Sequence, residues 1–280
     1  MIDVIIVNYE GDAMALDAIK TSLDGHDRGD IRFVVVDNGS RGSAHAALFE
    51  NSQLVDMLGG LRGTSDDDIA LHIPFESIED SGGDNPHITP THRLRAVHVT
   101  HRWLSHHGDV FIKLDRNHGY ETGVNVGMAV DKDGRFLDPP DWSSWSDLSD
   151  EGRSVVYHCY RDRLKGNTHG PRNDVVLVGS DVRPYARCFS ELQKTAQLHS
   201  TIGLVGAKLV QLREAGLFVV GGGYTEDPKH FHLTGWDSSP GPWHTFHVYP
   251  WVTFSCVYIK RECIGAVGTM DMQVFPYAGD

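Results

Sequence analysis

Two short runs constrain this chain more than anything else in it: Val4-Ile5-Ile6-Val7-Asn8-Tyr9 and Phe33-Val34-Val35-Val36-Asp37-Asn38-Gly39-Ser40. Both begin as unbroken apolar, β-branched stretches, the pattern of parallel strands covered on both faces. Each breaks off at polar residues, which such a sheet places at its carboxyl edge, where open α/β folds bind ligands. Residues 13–23 between them have the spacing and length of a helix. A strand–helix–strand opening of this kind leads to the expectation of a nucleotide-type ligand at the edge of a doubly wound sheet.

At 280 residues the chain can bury a full core, as one large α/β domain or two small ones. A net charge of −13 argues against a general nucleic-acid or anionic-membrane binder, since both need a basic surface. Any phosphorylated substrate must then be offset locally by a metal ion, a few arginines or helix N-termini. The cysteines Cys159, Cys188, Cys256 and Cys263 form no CxxC pair and read as reduced core thiols. No apolar stretch approaches the roughly 20 residues of a membrane span, so no transmembrane segment is expected. Met1 runs straight into the first strand without room for a signal peptide, which makes a cytoplasmic protein the expectation.

Further strands are predicted at 109–114, 174–178 and 202–210, with helices at 44–58, from 123 to 130 and at 184–199. The final third suggests a smaller mixed sheet from strands at 217–220, 245–249 and 252–259, then a short helix from Arg261. Residues 59–90 and 131–172 are rich in loop-forming residues and read as insertions or long loops. The second carries Trp142, Trp145, Tyr157 and Tyr160, which either stack on a sugar or, the favoured reading, pin the segment to the body. His98, His101, His106 and His107 fall in a helix predicted from Thr91 and, with no HExxH motif, read as solvated. His230 and His232 read as part of a surface strand, and Asp66-Asp67-Asp68 as a solvated loop.

Three segments carry chemistry. Asn8-Tyr9 and Asp37-Asn38-Gly39-Ser40 place a carboxylate where it can accept from a base or ribose, with Gly39 allowing a close turn. The run Arg116-Asn117-His118-Gly119-Tyr120-Glu121-Thr122-Gly123-Val124-Asn125-Val126-Gly127 follows a strand and opens a helix. Its backbone N–H groups can face a diphosphate or ribose, and Asn125 can add a side-chain contact, although neither the GxGxxG nor the P-loop pattern is present. In Val178-Gly179-Ser180-Asp181-Val182, an acid just past a strand suits a hard divalent ion holding a diphosphate.

Taken in order, these segments resemble the family 2 glycosyltransferases of GT-A fold, particularly the rhamnosyltransferase-like branch. The resemblance lies in a strand ending Asn-Tyr, a strand ending Val-Asp-Asn-Gly-Ser, and an Asn-x-Gly-x-x-x-Gly-x-Asn-x-Gly turn from Asn117 to Gly127. A metal motif follows at Gly179-Ser180-Asp181, then Ile202-Gly203-Leu204-Val205-Gly206 and Ser255-Cys256-Val257-Tyr258-Ile259-Lys260-Arg261-Glu262. The last motif, Gly-x-x-Asp-Glu-x-Phe-Phe-x-Tyr-x-Glu-Asp in the family, is matched from Gly268 to Asp280. The resemblance spans the chain apart from the two insertions.

It implies a single GT-A-like domain over 1–280: a nucleotide-sugar-binding part at 1–130 and 173–210, and an acceptor and catalytic part at 211–280. It implies transfer from a nucleoside diphosphate sugar to a glycan, protein or small-molecule acceptor, with inversion and with Mn²⁺ or Mg²⁺. Asp37 would contact the base, with Asn8 and Tyr9 lining its pocket. Asn38, Gly119, Asn125 and Ser180 belong to the donor side, Asp181 would hold the ion, and Asp280 would be the catalytic base. Two residues depart from the pattern: Gly179 stands where many relatives have an acid or Asn, and Gly279 replaces the Glu. Relatives continue past the position of Asp280, so a second chain completing the C-terminal part is a possible partner. The alternative class is a sugar-nucleotide-binding or structural module without activity of its own. A nucleotidyltransferase would want a Gly-rich, Lys/Arg-bearing loop after the first strand, which Asn8-Tyr9-Glu10-Gly11-Asp12 does not supply.

Overall fold

Strand β1 (Ile2–Asn8) is buried along its whole length and lies between two parallel neighbours, β2 (Ile31–Asp37) and β7 (Asp174–Gly179). The computed structural model describes residues 1–26, 28–40, 55–56, 58–63, 69–78, 90–137, 142–165, 172–221, 234–239, 244–245, 248 and 252–270. The other strands are β3 (Leu61–Gly63), β4 (Ile69–Ile78), β5 (Pro90–Ser105), β6 (Val110–Leu114), β8 (Leu204–Gly206), β9 (Leu209–Arg213), β10 (Gly216–Gly221), β11 (Gly235–Trp236) and β12 (Cys256–Ile259). Helices are α1 (Asp12–Asp24), α2 (Tyr120–Met128), α3 (Asp150–Lys165), α4 (Cys188–Gln197) and α5 (Arg261–Val267), with a 3₁₀ turn at Trp142–Asp147.

The large sheet has nine strands in the order β3-β5-β6-β2-β1-β7-β12-β8, with β4 paired to β5. Strands β6, β2, β1 and β7 are mutually parallel, whereas β12 is antiparallel to both β7 and β8. A separate antiparallel sheet is formed by β9, β10 and β11. The expected α/β architecture with a parallel centre is present, but the small second sheet is antiparallel rather than mixed, and the strand expected in it at 252–259 belongs to the large sheet as β12. No described helix is long and apolar enough to cross a membrane.

Alternation along the central strands divides the core in two. Ile5, Val7, Val34, Val36, Val175 and Leu177 face α2 and α3, while Val4, Ile6, Phe33, Val35, Val176 and Val178 face α1 and α4. Helix α2 lies unusually close to β1 because Gly123 and Gly127, one turn apart, face it. A Cβ at either position would stand 2.7 Å from Val7 or Ile5. Their spacing therefore serves helix–sheet packing as well as the turn before the helix.

Several sequence expectations need correction. The helix predicted from Thr91 is instead β5: Val97 and Val99 are buried and His98 between them is less so, the period of a strand, and β-branched residues favour that state. A register shift between Val99 and His101 hides that alternation in the sequence. Residues 59–90 are not simply a loop, since β3 and β4 form there and β4 pairs with β5 over its full length. Residues 131–172 contain α3, capped by Ser149, with Asp150 and Glu151 in its first turn and Arg163 and Lys165 in its last. Its Tyr157, Tyr160 and Leu164 are buried, so the two tyrosines pin this segment to the core. The predicted strand 202–210 is two short strands, β8 and β9. Most of the predicted helix at 44–58, much of the strand at 245–249, and Asp66-Asp67-Asp68, His230 and His232 lie outside the described residues.

The amino edge of the sheet is closed by a buried charge network that the sequence reading did not anticipate. The Asp3 carboxylate accepts from Arg32 Nε and Nη2 at 2.9 and 2.7 Å and from Asn173 Nδ2 at 2.8 Å. Arg261, at the start of α5, reaches Asp3 at 3.5 Å and donates to the carbonyls of Asn173 and Met128. Met128 ends α2, so the cation meets the negative end of that helix. Burial and the neighbouring Arg172 pull the Arg261 pKa down to about 10, against the pull of Asp3. Arg261→Met leaves buried carbonyls unsatisfied and should cost about 3 kcal/mol in urea unfolding, in the range for breaking a buried pair.

Candidate functional site

The chain runs outward from β1 through β2 to β6 on one side, then returns across β1 to β7 on the other. This reversal is a topological switch point, and the crevice of such a sheet lies outside the carboxyl ends of the strands that flank it. Asn8, Asp37 and Lys113 share one row of the ladder there, with Val7 paired to Gly179.

Asn8 is fully buried and fastens the turn from β1 into α1, its Nδ2 donating to Asp12 at 2.7 Å and its Oδ1 accepting from the Gly11 N–H. Tyr9, next along, is half-buried, and Glu10 adopts φ 53°, a left-handed conformation that L residues seldom take. That backbone is held by Ser40, whose hydroxyl accepts the Glu10 N–H at 2.8 Å and donates to Asp37. Asp37 is buried at the end of β2 and also accepts from the Ser40 N–H. Asp37, Ser40 and Glu10 thus tie the end of β2 to the turn after β1.

Asn38 fixes the loop that follows β6. Its Nδ2 donates to Asn117 Oδ1 at 2.9 Å and to the Gly119 carbonyl at 3.0 Å, while its Oδ1 accepts the His118 N–H at 3.0 Å. Gly39 must be glycine for two reasons: φ is +79°, and a Cβ would fall 2.1 Å from the Arg116 carbonyl carbon. Gly119 has φ +90°, and its N–H is taken by Asn117 at 2.9 Å. The turn at 117–119 is therefore a preformed piece of backbone, held by the end of β2 and leading directly into α2.

His118 Nε2–H donates to Asp115 Oδ1 across 2.7 Å, with the imidazole almost buried. Burial of the Asp115 carboxyl pushes its pKa up, but the hydrogen bond and charge of His118, helped by Arg116, outweigh this and hold it below 3.8. Tyr120, the first residue of α2, reaches the Phe254 carbonyl at 3.4 Å. Burial raises its phenol well above the ordinary value, and the charges of Glu121 and Asp181 add to the rise. Tyr120 was not singled out in the sequence, although its place directly after the glycine turn was a usable signal.

Ser180 and Asp181 follow β7 in a turn closed by the Val182 N–H on the Gly179 carbonyl at 3.0 Å. Asp181 is exposed and its carboxylate crowds Gly179, where an added Cβ would lie 2.9 Å from Oδ1. Among the described residues no three His, Cys, Asp or Glu side chains gather into a closed metal cage. One exposed carboxylate does fit Mg²⁺ or Mn²⁺ where the ion takes its other ligands from a diphosphate and water. Asn125 has different work from the ligand contact expected of it: it is fully buried on α2, and both ends of its amide bind the backbone of Met270. Asp280 lies outside the described residues. The fold thus brings Asn8, Tyr9, Asp37, Asn38, Gly119, Ser180 and Asp181 to one edge of the sheet.

No family model matches the chain, and no curated protein matches it.

Asn38→Ala removes three side-chain bonds to the 117–119 turn. It should cost about 2–3 kcal/mol in chemical denaturation and speed amide exchange at His118. The Asp115–His118 pair contributes stability at neutral pH that is lost as acidification passes the lowered Asp115 pKa. In a carboxyl carbon NMR titration, wild-type Asp115 should titrate below 3.8 and move upward in His118→Asn.

Proposed function

We propose that this chain is a glycosyltransferase of GT-A kind that transfers a sugar from a nucleoside diphosphate sugar to an acceptor hydroxyl with inversion. One observation carries the reading: groups that follow four parallel strands converge on one carboxyl edge around the switch between β1 and β7. There a buried carboxylate, Asp37, a preformed glycine turn at 117–119 and an exposed carboxylate, Asp181, stand on a rigid sheet. A base- and ribose-reading acid, a helix that opens from the glycine turn toward a diphosphate and a carboxylate for an ion are the parts a nucleotide-sugar site needs. The order of motifs along the chain, from Asn8-Tyr9 to Asp280, supplies the family resemblance.

In this reading Asp37 accepts from the base and Tyr9 closes that side of the pocket, while buried Asn8 holds the turn that presents Tyr9. Asn38 presents the turn around Gly119, and Ser180 and Asp181 face the diphosphate. Asp181 would hold Mg²⁺ or Mn²⁺, which would supply positive charge to the departing diphosphate. Asp280 takes the proton of the acceptor hydroxyl as that oxygen bonds to the anomeric carbon and the bond from carbon to the diphosphate oxygen breaks. With a net charge of −13 on the chain, local cations are needed to hold the donor. Arg116 beside the turn, three-quarters exposed, is one such group.

Calorimetry with UDP-, dTDP- and GDP-sugars should show one donor binding in the presence of Mn²⁺, weakened at least tenfold in Asp181→Ala. Asp280→Asn should bind that donor within twofold of wild type and lose at least about 10²-fold in turnover, the scale of general-base catalysis. Donor binding with no turnover in the wild-type chain would favour the binding-module alternative, and binding of no nucleotide would overturn the reading.

A further inference from the structure

We infer that Cys188 and Cys256 form a redox-active dithiol, a site where exchange with a low-molecular-weight disulfide joins α4 to β12. Their Sγ atoms stand 4.0 Å apart across a hydrogen bond, although the residues are 68 positions apart in the chain. A disulfide needs about 2.0 Å between its sulfurs, so a movement of about 2 Å shared by two side chains closes the gap. The other two thiols serve as internal references: Cys159 is exposed on α3, and Cys263 is half-buried on α5.

Both backbones at this pair are held. Cys256 lies within β12, paired to Val178 of β7, and its carbonyl accepts the Ala207 N–H at 2.9 Å. Cys188 opens α4 directly after Arg187, an exposed residue at φ 66°, in the left-handed region that side chains seldom take. The Arg187 N–H donates to the Gly25 carbonyl at 3.2 Å, and its own carbonyl accepts the Glu191 N–H at 2.9 Å. One residue further on, the Phe189 N–H donates to His26 Nε2 at 3.1 Å, and the two rings stack with centroids 4.3 Å apart. Such a conformation persists only where its surroundings fix it, and here it delivers the Cys188 thiol to Cys256.

The two sulfurs are unlike. Cys188 is half-buried at the amino end of a helix, where the helix dipole favours a thiolate, whereas Cys256 is only 1% exposed. The hydrogen bond to Cys256 holds the Cys188 thiol below its ordinary range against the effect of burial, while that bond and burial push Cys256 up. Cys188 is therefore the attacking sulfur. Its thiolate bonds to one sulfur of the small disulfide and displaces the other, which takes up the proton that Cys188 released. Cys256 then bonds to Cys188 Sγ, and its proton passes to the second small thiolate as that leaves. The protein is oxidised by two electrons, and one small disulfide becomes two thiols.

The new bond closes a segment at both ends. The Gly179 N–H already donates to the carbonyl of Ser255, next to Cys256, at 2.7 Å. Cys188 stands at the far end of residues 180–187, which carry Asp181. Oxidation thus ties that far end to the strand that holds the near end, whatever Asp181 binds.

The test equilibrates the full chain with oxidised glutathione, then traps remaining thiols with iodoacetamide in urea. Peptide mass mapping should find the Cys188 and Cys256 peptides joined, about 2 Da lighter than the reduced pair and released by dithiothreitol. Cys256→Ser should stop with glutathione on Cys188, and Cys188→Ser should leave Cys256 unmodified. Amide exchange across 180–187 should slow at least about tenfold in the oxidised wild-type chain. Recovery of both cysteines as trapped thiols, with exposed Cys159 carrying glutathione to show that the oxidant acted, would overturn the proposal. So would glutathione left on Cys188 of the wild-type chain as the end product. A bridge that leaves exchange across 180–187 unchanged would overturn the restraint on that segment.

Discussion

Complete burial of β1 is the constraint from which the rest of the structure follows. Every residue from Ile2 to Asn8 is covered, yet the strand has a charged residue near one end and an amide at the other. A buried carboxylate or amide without partners is costly, so both ends must be satisfied from within the protein. Asp3 draws Arg32, Asn173 and Arg261 from three separate parts of the chain. Asn8 instead binds the turn directly after its own strand. The amino edge is consequently sealed by long-range ionic contacts. The carboxyl edge is finished by neutral side-chain bonds to turns, some local and some reaching from one loop to another, which leaves room for loops that carry chemistry.

That asymmetry explains why the site is built from turns held by side chains rather than by more secondary structure. Asn38 replaces three hydrogen bonds that a neighbouring strand might have made, and in doing so holds the 117–119 backbone in a shape that glycine at 119 permits. Ser40 does the same for the strained turn at Glu10. Left-handed backbone at a non-glycine residue persists only when its surroundings over-determine it, and such places cluster at functional sites. Here the strained residue stands one position beyond Tyr9, at the edge where the donor is proposed to bind.

The parts of this fold legible in the sequence were those fixed by local pattern. The strands at β1, β2, β6 and β7 are built on short apolar runs that give way to polar residues or glycine, and both the sheet edge and most of the candidate site followed from them. What failed to show was decided by tertiary partners. Arg102 is buried in β5, where its guanidinium donates to the Gly134 carbonyl at 2.8 Å; in the sequence it reads as a surface residue and disguises the strand. Helix α3 has charged residues at most outward positions and only Tyr157, Tyr160 and Leu164 inward, too narrow an apolar stripe to stand out after Pro139-Pro140. Arg261 matched a family position without revealing that it completes the closure around Asp3.

Asn125 shows how a motif can be read at the right place and for the wrong reason. Its spacing in a glycine-rich turn suggested a hand on the ligand, because an amide near a helix start has that chemistry. Two glycines let α2 sink onto β1, and on the other side of the helix Asn125 is covered where the backbone of Met270 supplies the donor and acceptor it needs. Backbone partners so far along the chain leave no trace in local sequence. A close-packed helix is also a firmer anchor than a loop for residues 268–270, since packed elements resist displacement where loops do not. The glycines, the asparagine and the docked residue therefore form one device. The turn stands at the sheet edge, and the helix that opens from it holds Met270.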